Sequence, residues 1–208
     1  MVKIHYFYDP MCGWCFGATS LMEAVNAHES IDLEMHPGGM IQRREMDPSF
    51  RQMVLSHDKK IEALTGQKFG QSYKDRVTSE QSVILDSYIT AKAVAAAQSV
   101  SKAGFAMLKG IQTAHFQKGL DVSSLDTLKL IVTELKIDDS RWHEVMANKD
   151  TNITSLISES QALMQQWQVQ GFPTLILETE KGLKRVPHTQ FYNKLEDWDL
   201  ALKALTES

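Results

Sequence analysis

Cys12-Gly13-Trp14-Cys15 contains both cysteines of a 208-residue chain, two positions apart. Thiols at that spacing can close a disulfide and reopen it by thiolate attack, so the tetrapeptide points to dithiol-disulfide exchange. The flanking residues say which thiol does what. Val2 to Tyr8 alternates and is rich in β-branched and aromatic residues, the pattern of a strand that Asp9-Pro10 then interrupts. From Phe16 onward, apolar Ala18, Leu21, Met22 and Val25 recur at three- and four-residue steps, which predicts a helix. Cys12 then sits at the helix N-terminus, where unpaired backbone N–H groups favour a thiolate, and is the expected nucleophile. Cys15, one turn inside, is the expected resolving thiol.

Two plainer readings of the pair carry less weight. A zinc site needs four ligands, yet there is no second cysteine pair, and histidines 5, 28, 36, 57, 115, 143 and 188 show no His-x₃₋₅-His spacing. Incidental burial leaves the exact spacing unexplained. No metal is therefore expected.

With 43% hydrophobic and 23% charged residues, the chain can bury one large core or a core with a sizeable insertion. A net charge of −4 without a long Lys/Arg run argues against nucleic-acid or anionic-membrane partners. The first ten residues read as strand, leaving no room for a charged and then apolar leader, so the cytoplasm is the expected compartment.

After the first helix, Ile31 to His36 reads as a second strand, completing a parallel βαβ unit that stops at Pro37-Gly38-Gly39-Met40. That loop shares the strand edge carrying Cys12, and Gly39 is a candidate for lining the substrate cleft. No proline then occurs from Ser49 through Phe172, and the segment is full of helix formers. Asp47-Pro48 predicts a helix start, Gly66 and Gly70 a loop, and further helices follow over Val83–Val100, Lys102–Lys118, Ser124–Lys136, Arg141–Asn148 and Ile153–Val169. Thr174–Glu178 and Leu183–Pro187 form a predicted hairpin, and Leu195–Leu205 a final helix. Met22, Met53, Met107 and Met146 fall at helical core spacing, His5 belongs to strand packing or hydrogen bonding, and Asp9 is expected to cap the loop.

The Cys12-Gly13-Trp14-Cys15 motif after a first strand, the helical block, and Gly171-Phe172-Pro173-Thr174 ahead of a hairpin resemble the DsbA family over essentially the whole chain. Asp9-Pro10-Met11-Cys12 with Phe16-Gly17 is most similar to its cytoplasmic FrnE-like, disulfide-isomerase branch. The resemblance implies an α/β thioredoxin-like fold (βαβ…ββα) with a large all-helical insertion. Residues 1–44 and 152–208 would form the discontinuous thioredoxin-like domain and 45–151 the insertion. It implies thiol-disulfide oxidoreductase or isomerase activity on protein or peptide thiols and disulfides, with glutathione as an exchange partner and no cofactor beyond the cysteine pair.

Residue by residue, Cys12 becomes the surface nucleophile, Cys15 its buried partner, and Pro173 the residue that is cis. Read alone, Pro173 opens a strand in trans; in cis it would turn the Phe172 backbone towards an extended substrate. Trp14 offers a rigid aromatic surface to the same substrate. Gly13-Trp14 stands where the periplasmic oxidant has Pro-His, which leaves the redox direction open. Two other functions compete: a kappa-class glutathione transferase or hydroxychromene-carboxylate isomerase, which needs no Cys15, and a non-catalytic peptide-binding module.

Overall fold

The computed structural model describes residues 1–148 and 152–207. Strand β1 (Val2–Tyr8) leads into two short helices, α1 (Gly13–Gly17) and α2 (Thr19–Ala27), and then β2 (Ile31–Pro37). β1 and β2 pair in parallel, from Val2 opposite Ile31 to Tyr8 opposite Pro37. A block of helices intervenes before β5 (Thr174–Thr179) and β6 (Gly182–Val186) complete the sheet in the order β2-β1-β5-β6. β5 runs antiparallel to β1, so the two halves of the chain share one thioredoxin-like sheet.

The alternation of β1 assigns its two faces. Ile4, Tyr6 and Tyr8 pack with Cys15, Leu21 and Met22, while Phe7 joins Ile176 and Val169 in a second cluster on the other face. The first face is closed by α2 and by the last helix, α10 (Leu195–Thr206), whose buried Trp198 donates from Nε1 to the Leu21 carbonyl at 2.9 Å. The second face is closed by α9 (Ile153–Gln166) and the residues that follow it, through Leu163, Met164 and Trp167.

Between β2 and α9 the block comprises β3 (Arg44–Glu45), α3 (Pro48–Thr65), α4 (Gln71–Thr78), β4 (Ile84–Leu85), α5 (Ser87–Ser101), α6 (Gly104–Phe116), α7 (Leu125–Glu134) and α8 (Asp139–Ala147). Asp47 caps α3 through the Phe50 N–H, with Pro48 at the first helical position, as expected. Buried alanines 91, 93, 96 and 97 let α5 approach its neighbours, and Trp142 Nε1 donates to Ala93 O at 3.2 Å.

Four local expectations change. The first helix is broken at Ala18, where the Thr19 hydroxyl donates to Phe16 O at 2.7 Å. The helix expected from Val83 begins at Ser87, because Asp86 accepts from Tyr88 and Ile89 N–H groups and leaves Ile84-Leu85 free to pair with Arg44-Glu45. The block therefore contains a two-stranded ladder as well as helices. The helix expected to reach Val169 stops at Gln166, ahead of Gln168 with φ 55°, and His188–Phe191 forms an unanticipated 3₁₀ turn. The end of the insertion placed at Thr151 lies outside the described residues.

Helix α1 meets α3 closely because both of its contact positions are glycine. A β-carbon on Gly17 would stand 2.6 Å from Ile61 Cγ2 and 3.1 Å from Thr65 Cγ2. At an open helical site, Gly→Ala would stabilise by about 1 kcal/mol. Here crowding outweighs that gain: Gly17→Ala should lower unfolding free energy by about 1–3 kcal/mol in urea titration, and an unchanged or raised midpoint would refute the close packing.

Candidate active site

Cys12 occupies the N-cap position of α1 with extended backbone (φ −87°, ψ 117°), and its side chain makes no capping bond. The sulfur is left to point elsewhere. Its thiol lies 3.8 Å from the carbonyl oxygen of Phe172, 160 positions later in the chain. Cys12 is 6% exposed and Cys15 1%, and both thiols are free. Burial pushes the Cys15 thiol well above its ordinary range, and its hydrogen bond to Cys12 adds to that. Buried Tyr6 touches the same sulfur, and its hydroxyl is also pushed upward, chiefly by burial. The expected surface nucleophile is thus itself largely buried, lining a cavity beside the insertion, and Cys15 is held protonated deeper still, an arrangement suited to attack followed by internal resolution once a substrate reaches Cys12.

Asp9 fixes the loop that presents Cys12. Its carboxylate is fully buried and accepts from Met11 N–H at 2.9 Å, Met40 N–H at 2.6 Å and the Ser87 hydroxyl at 2.7 Å, while its carbonyl accepts from Cys12 N–H at 3.1 Å. Burial raises its pKa, and those three hydrogen bonds oppose the rise. The expected loop cap is therefore also a junction between three segments distant in sequence. Ser87 was not foreseen as a partner, because only the fold brings it to Asp9.

The Gly-Gly loop splits its roles. Gly38 lies against Phe172 so closely that a β-carbon would enter the ring, and Gln161 Nε2 donates to its carbonyl at 3.0 Å. Gly39, with φ 63°, packs towards Ile157 of α9, while Met40 and Ile41 line the cavity beside Cys12. Phe172–Pro173 is cis. Trp14 stacks on Tyr192 with ring centroids 6.4 Å apart, and a groove of about 580 Å³ runs past Trp14, Phe172, Pro173 and Tyr192.

A second cavity of about 200 Å³ separates Cys12 from the insertion and is lined by Met11, Met40, Met46, Met53 and Asp58. Residues of the insertion thus cover the Cys12 side. Met22 and Met107 are buried as expected, but Met53 is 44% exposed and belongs to this cavity wall, beside Met40 at 46%. Helical spacing alone could not separate a core position from one facing a cleft between domains. Asp58 is a second unforeseen residue. It is buried, accepts from Tyr73 Oη at 3.0 Å, and its other oxygen faces Gly13.

The family model described as a DSBA-like thioredoxin domain matches residues 3–197. Among solved structures, the cytosolic disulfide reductase DsbM from Pseudomonas aeruginosa superposes with a TM-score of 0.88 at 30% identity, over 97% of each chain. The same protein solved with GSH superposes with a TM-score of 0.88, also at 30% identity, over 99% of this chain and 100% of that one. A candidate protein disulfide isomerase from Nitrosomonas europaea, 23% identical over 97% of this chain and 98% of that one, shares the fold with a TM-score of 0.77. No curated protein matches in sequence.

The Asp58 carboxyl gives the site a measurable pH signature. Burial pushes it up from 3.8 to about 7, against the Tyr73 hydrogen bond. Between those values the folded protein keeps a proton that the unfolded chain has lost, so stability falls as pH rises through that window. Asp58→Asn keeps an acceptor for Tyr73 and removes the ionisation. From about pH 4.5 to about 7.5, the wild type should lose roughly 1–3 kcal/mol relative to the variant in urea titrations; parallel pH profiles would refute the buried, proton-holding carboxyl.

Proposed function

Because the chain belongs to the DSBA-like thioredoxin-domain family, we propose that it reduces and exchanges disulfides of peptides and of glutathione through a Cys12 mixed disulfide that Cys15 resolves. The observation that carries this reading is the placement of Cys12 Sγ at 3.8 Å from Phe172 O, with Cys15 buried one helical turn inside. The Cys12 thiolate attacks one sulfur of a substrate disulfide, forming a mixed disulfide and releasing the other half as a thiolate. Cys15 then loses its proton and attacks Cys12 Sγ. The second substrate thiolate leaves, and an intramolecular disulfide remains. Two external thiols or a dithiol return the pair to its reduced state, so electrons balance over the cycle.

The buried position of Cys15 orders these steps. Its thiol holds its proton in the free enzyme, partly because of the neighbouring Cys12 sulfur. Once Cys12 is engaged in a mixed disulfide that contribution disappears, so Cys15 ionises more readily than in the free enzyme, with burial, the larger cause, still opposing it. Meanwhile the Phe172 carbonyl, freed from the Cys12 thiol, can accept an N–H from an extended substrate lying in the groove past Trp14 and Pro173. Gly39 faces Ile157 and is not among the residues lining that groove, so it would serve the groove only as the turn next to Gly38, whose backbone lies against Phe172.

The reductive direction and the use of glutathione are supported by the 30% identity to a cytosolic disulfide reductase also solved with GSH. A cytoplasmic location is supported by the same likeness to a cytosolic protein. A glutathione transferase or isomerase would have no use for a resolving thiol placed in contact with the nucleophile, as Cys15 is.

Two measurements test this. Cys12→Ser should abolish reduction of insulin and of glutathione disulfide, whereas Cys15→Ser should still attack and then stall as a stable mixed disulfide seen by mass spectrometry. Turnover surviving in Cys12→Ser, or no trapped adduct in Cys15→Ser, would overturn the assignment. Trp14→Ala removes a groove wall worth about 0.5–1.5 kcal/mol in aromatic contact, so KM for peptide disulfides should rise about 3- to 10-fold with little change in Cys12 alkylation rate. An unchanged KM would remove Trp14 from the substrate surface.

A further inference from the structure

His5 and His36 lie 31 positions apart, too far for any ligand-spacing motif, yet the parallel register of β1 and β2 sets His5 opposite Glu34 and Phe7 opposite His36. The two imidazoles meet edge to edge on the sheet face turned towards α9, away from Cys15, with centroids 5.1 Å apart, planes inclined by 26°, and Nδ1 of His5 2.9 Å from Nε2 of His36. Glu34 reaches both from the sheet edge: Oε2 is 3.8 Å from His5 Nδ1, and Oε1 is 3.8 Å from His36 Nε2. On the far side of the His5 ring, Nε2 is 3.0 Å from Oε2 of Glu178 on β5. Trp167 packs edge-on against His5 at 4.8 Å.

Three features of this cluster are those of a metal centre. First, the donor separations of 2.9 and 3.8 Å bracket the value of about 3.3 Å that tetrahedral coordination with bonds of about 2.0–2.1 Å requires. Second, the Glu178 contact holds the proton of His5 on Nε2, which turns the Nδ1 lone pair towards His36 and reproduces the carboxylate-histidine-metal arrangement. Third, only one proton can lie between the two facing ring nitrogens, so a cation taking its place would be bound by both. We propose that His5 Nδ1, His36 Nε2 and the Glu34 carboxylate form a binding site for a divalent transition-metal ion of the zinc class, with Glu178 orienting His5.

The donor set of two imidazoles and one carboxylate suits zinc or cobalt rather than magnesium or calcium, which take oxygen ligands. Glu34 is the solvent-facing member, its side chain 45% exposed, and it marks the entry route. Its present ion pair with Lys3 at 2.8 Å is an exposed one and is readily exchanged for a metal bond. An ion here would fasten β1 to β2 two residues before Gly38, behind the sheet edge that carries Asp9 and the Phe172 contact.

The test uses the full chain carrying Cys12→Ser and Cys15→Ser, which removes thiolate ligands and makes the outcome independent of the redox reading. Titration with Co²⁺ should give about one equivalent bound, with the visible d-d absorption of a four-coordinate ion, and Zn²⁺ should displace it. Glu34→Gln, an exposed change that leaves the core intact, should weaken binding at least about 10-fold, and Glu178→Gln by about 10- to 100-fold. His28→Gln and His143→Gln should leave it unchanged. Absence of stoichiometric cobalt binding, or binding indifferent to both Glu34→Gln and His36→Gln, would overturn the site.

Discussion

A single buried carboxylate holds the catalytic end of this protein together. Asp9 is removed from water yet accepts hydrogen bonds from the motif loop, from the loop after β2 and from the start of α5. Such a group is costly to bury unless every oxygen is satisfied, so the three donors must arrive together or not at all. That condition ties formation of the Cys12 loop to docking of the insertion. The Ser87 hydroxyl extends the tie, since it also accepts from the Ile41 N–H at 3.1 Å and fixes the chain as it leaves the sheet for the insertion.

The electrostatics of the cysteine pair follow from depth rather than from an added charge. α1 has only five residues before the break at Ala18, so a long helix dipole is not what Cys12 meets. What the short helix does supply is local: free N–H groups at its first turn and a sulfur not spent on capping. Below it, Cys15 sits among tyrosine rings, where ionisation is disfavoured by burial first and by the adjoining sulfur second. The two sulfurs therefore differ in depth, Cys12 lining the cavity beside the insertion and Cys15 lying in the interior.

Much of this was legible before any coordinates. The Cys-x-x-Cys spacing, the alternating Val2 to Tyr8 and the cap at Asp47-Pro48 are local signals, each with its own periodicity or turn chemistry, whereas the cis Phe172-Pro173 bond was expected only through the family resemblance, since that proline read alone opens a strand in trans. What escaped was non-local or balanced between two states. Ile84-Leu85 could extend a helix or pair as a strand, and only Arg44-Glu45 across from it decides. Asp58 and Tyr73 share a hydrogen bond through the packing of α3 and α4, which no pattern in either segment records. Met53 shows the same ambiguity between core and cleft. His5 and His36 escaped for the plainest reason: parallel pairing joins positions that spacing rules treat as unrelated.

The glycine packing of α1 has a bearing on how the redox behaviour of this protein could be engineered. In Cys-x-x-Cys proteins the two intervening residues are the obvious place to tune thiol reactivity. Here they are not independent of the architecture: a β-carbon at position 13 would press on Ile61 Cδ1 at 3.1 Å and the Asp58 carboxylate at 3.3 Å, and Trp14 leans on Tyr192. One intervening position is thus gripped by the inserted helices and the other by the C-terminal segment. A dipeptide transplanted from a stronger oxidant would therefore reseat two distant parts of the chain before it altered the sulfur. A shifted potential in such a chimera would report domain repacking together with thiolate stability, and only compensating changes at Ile61 and Tyr192 would separate the two.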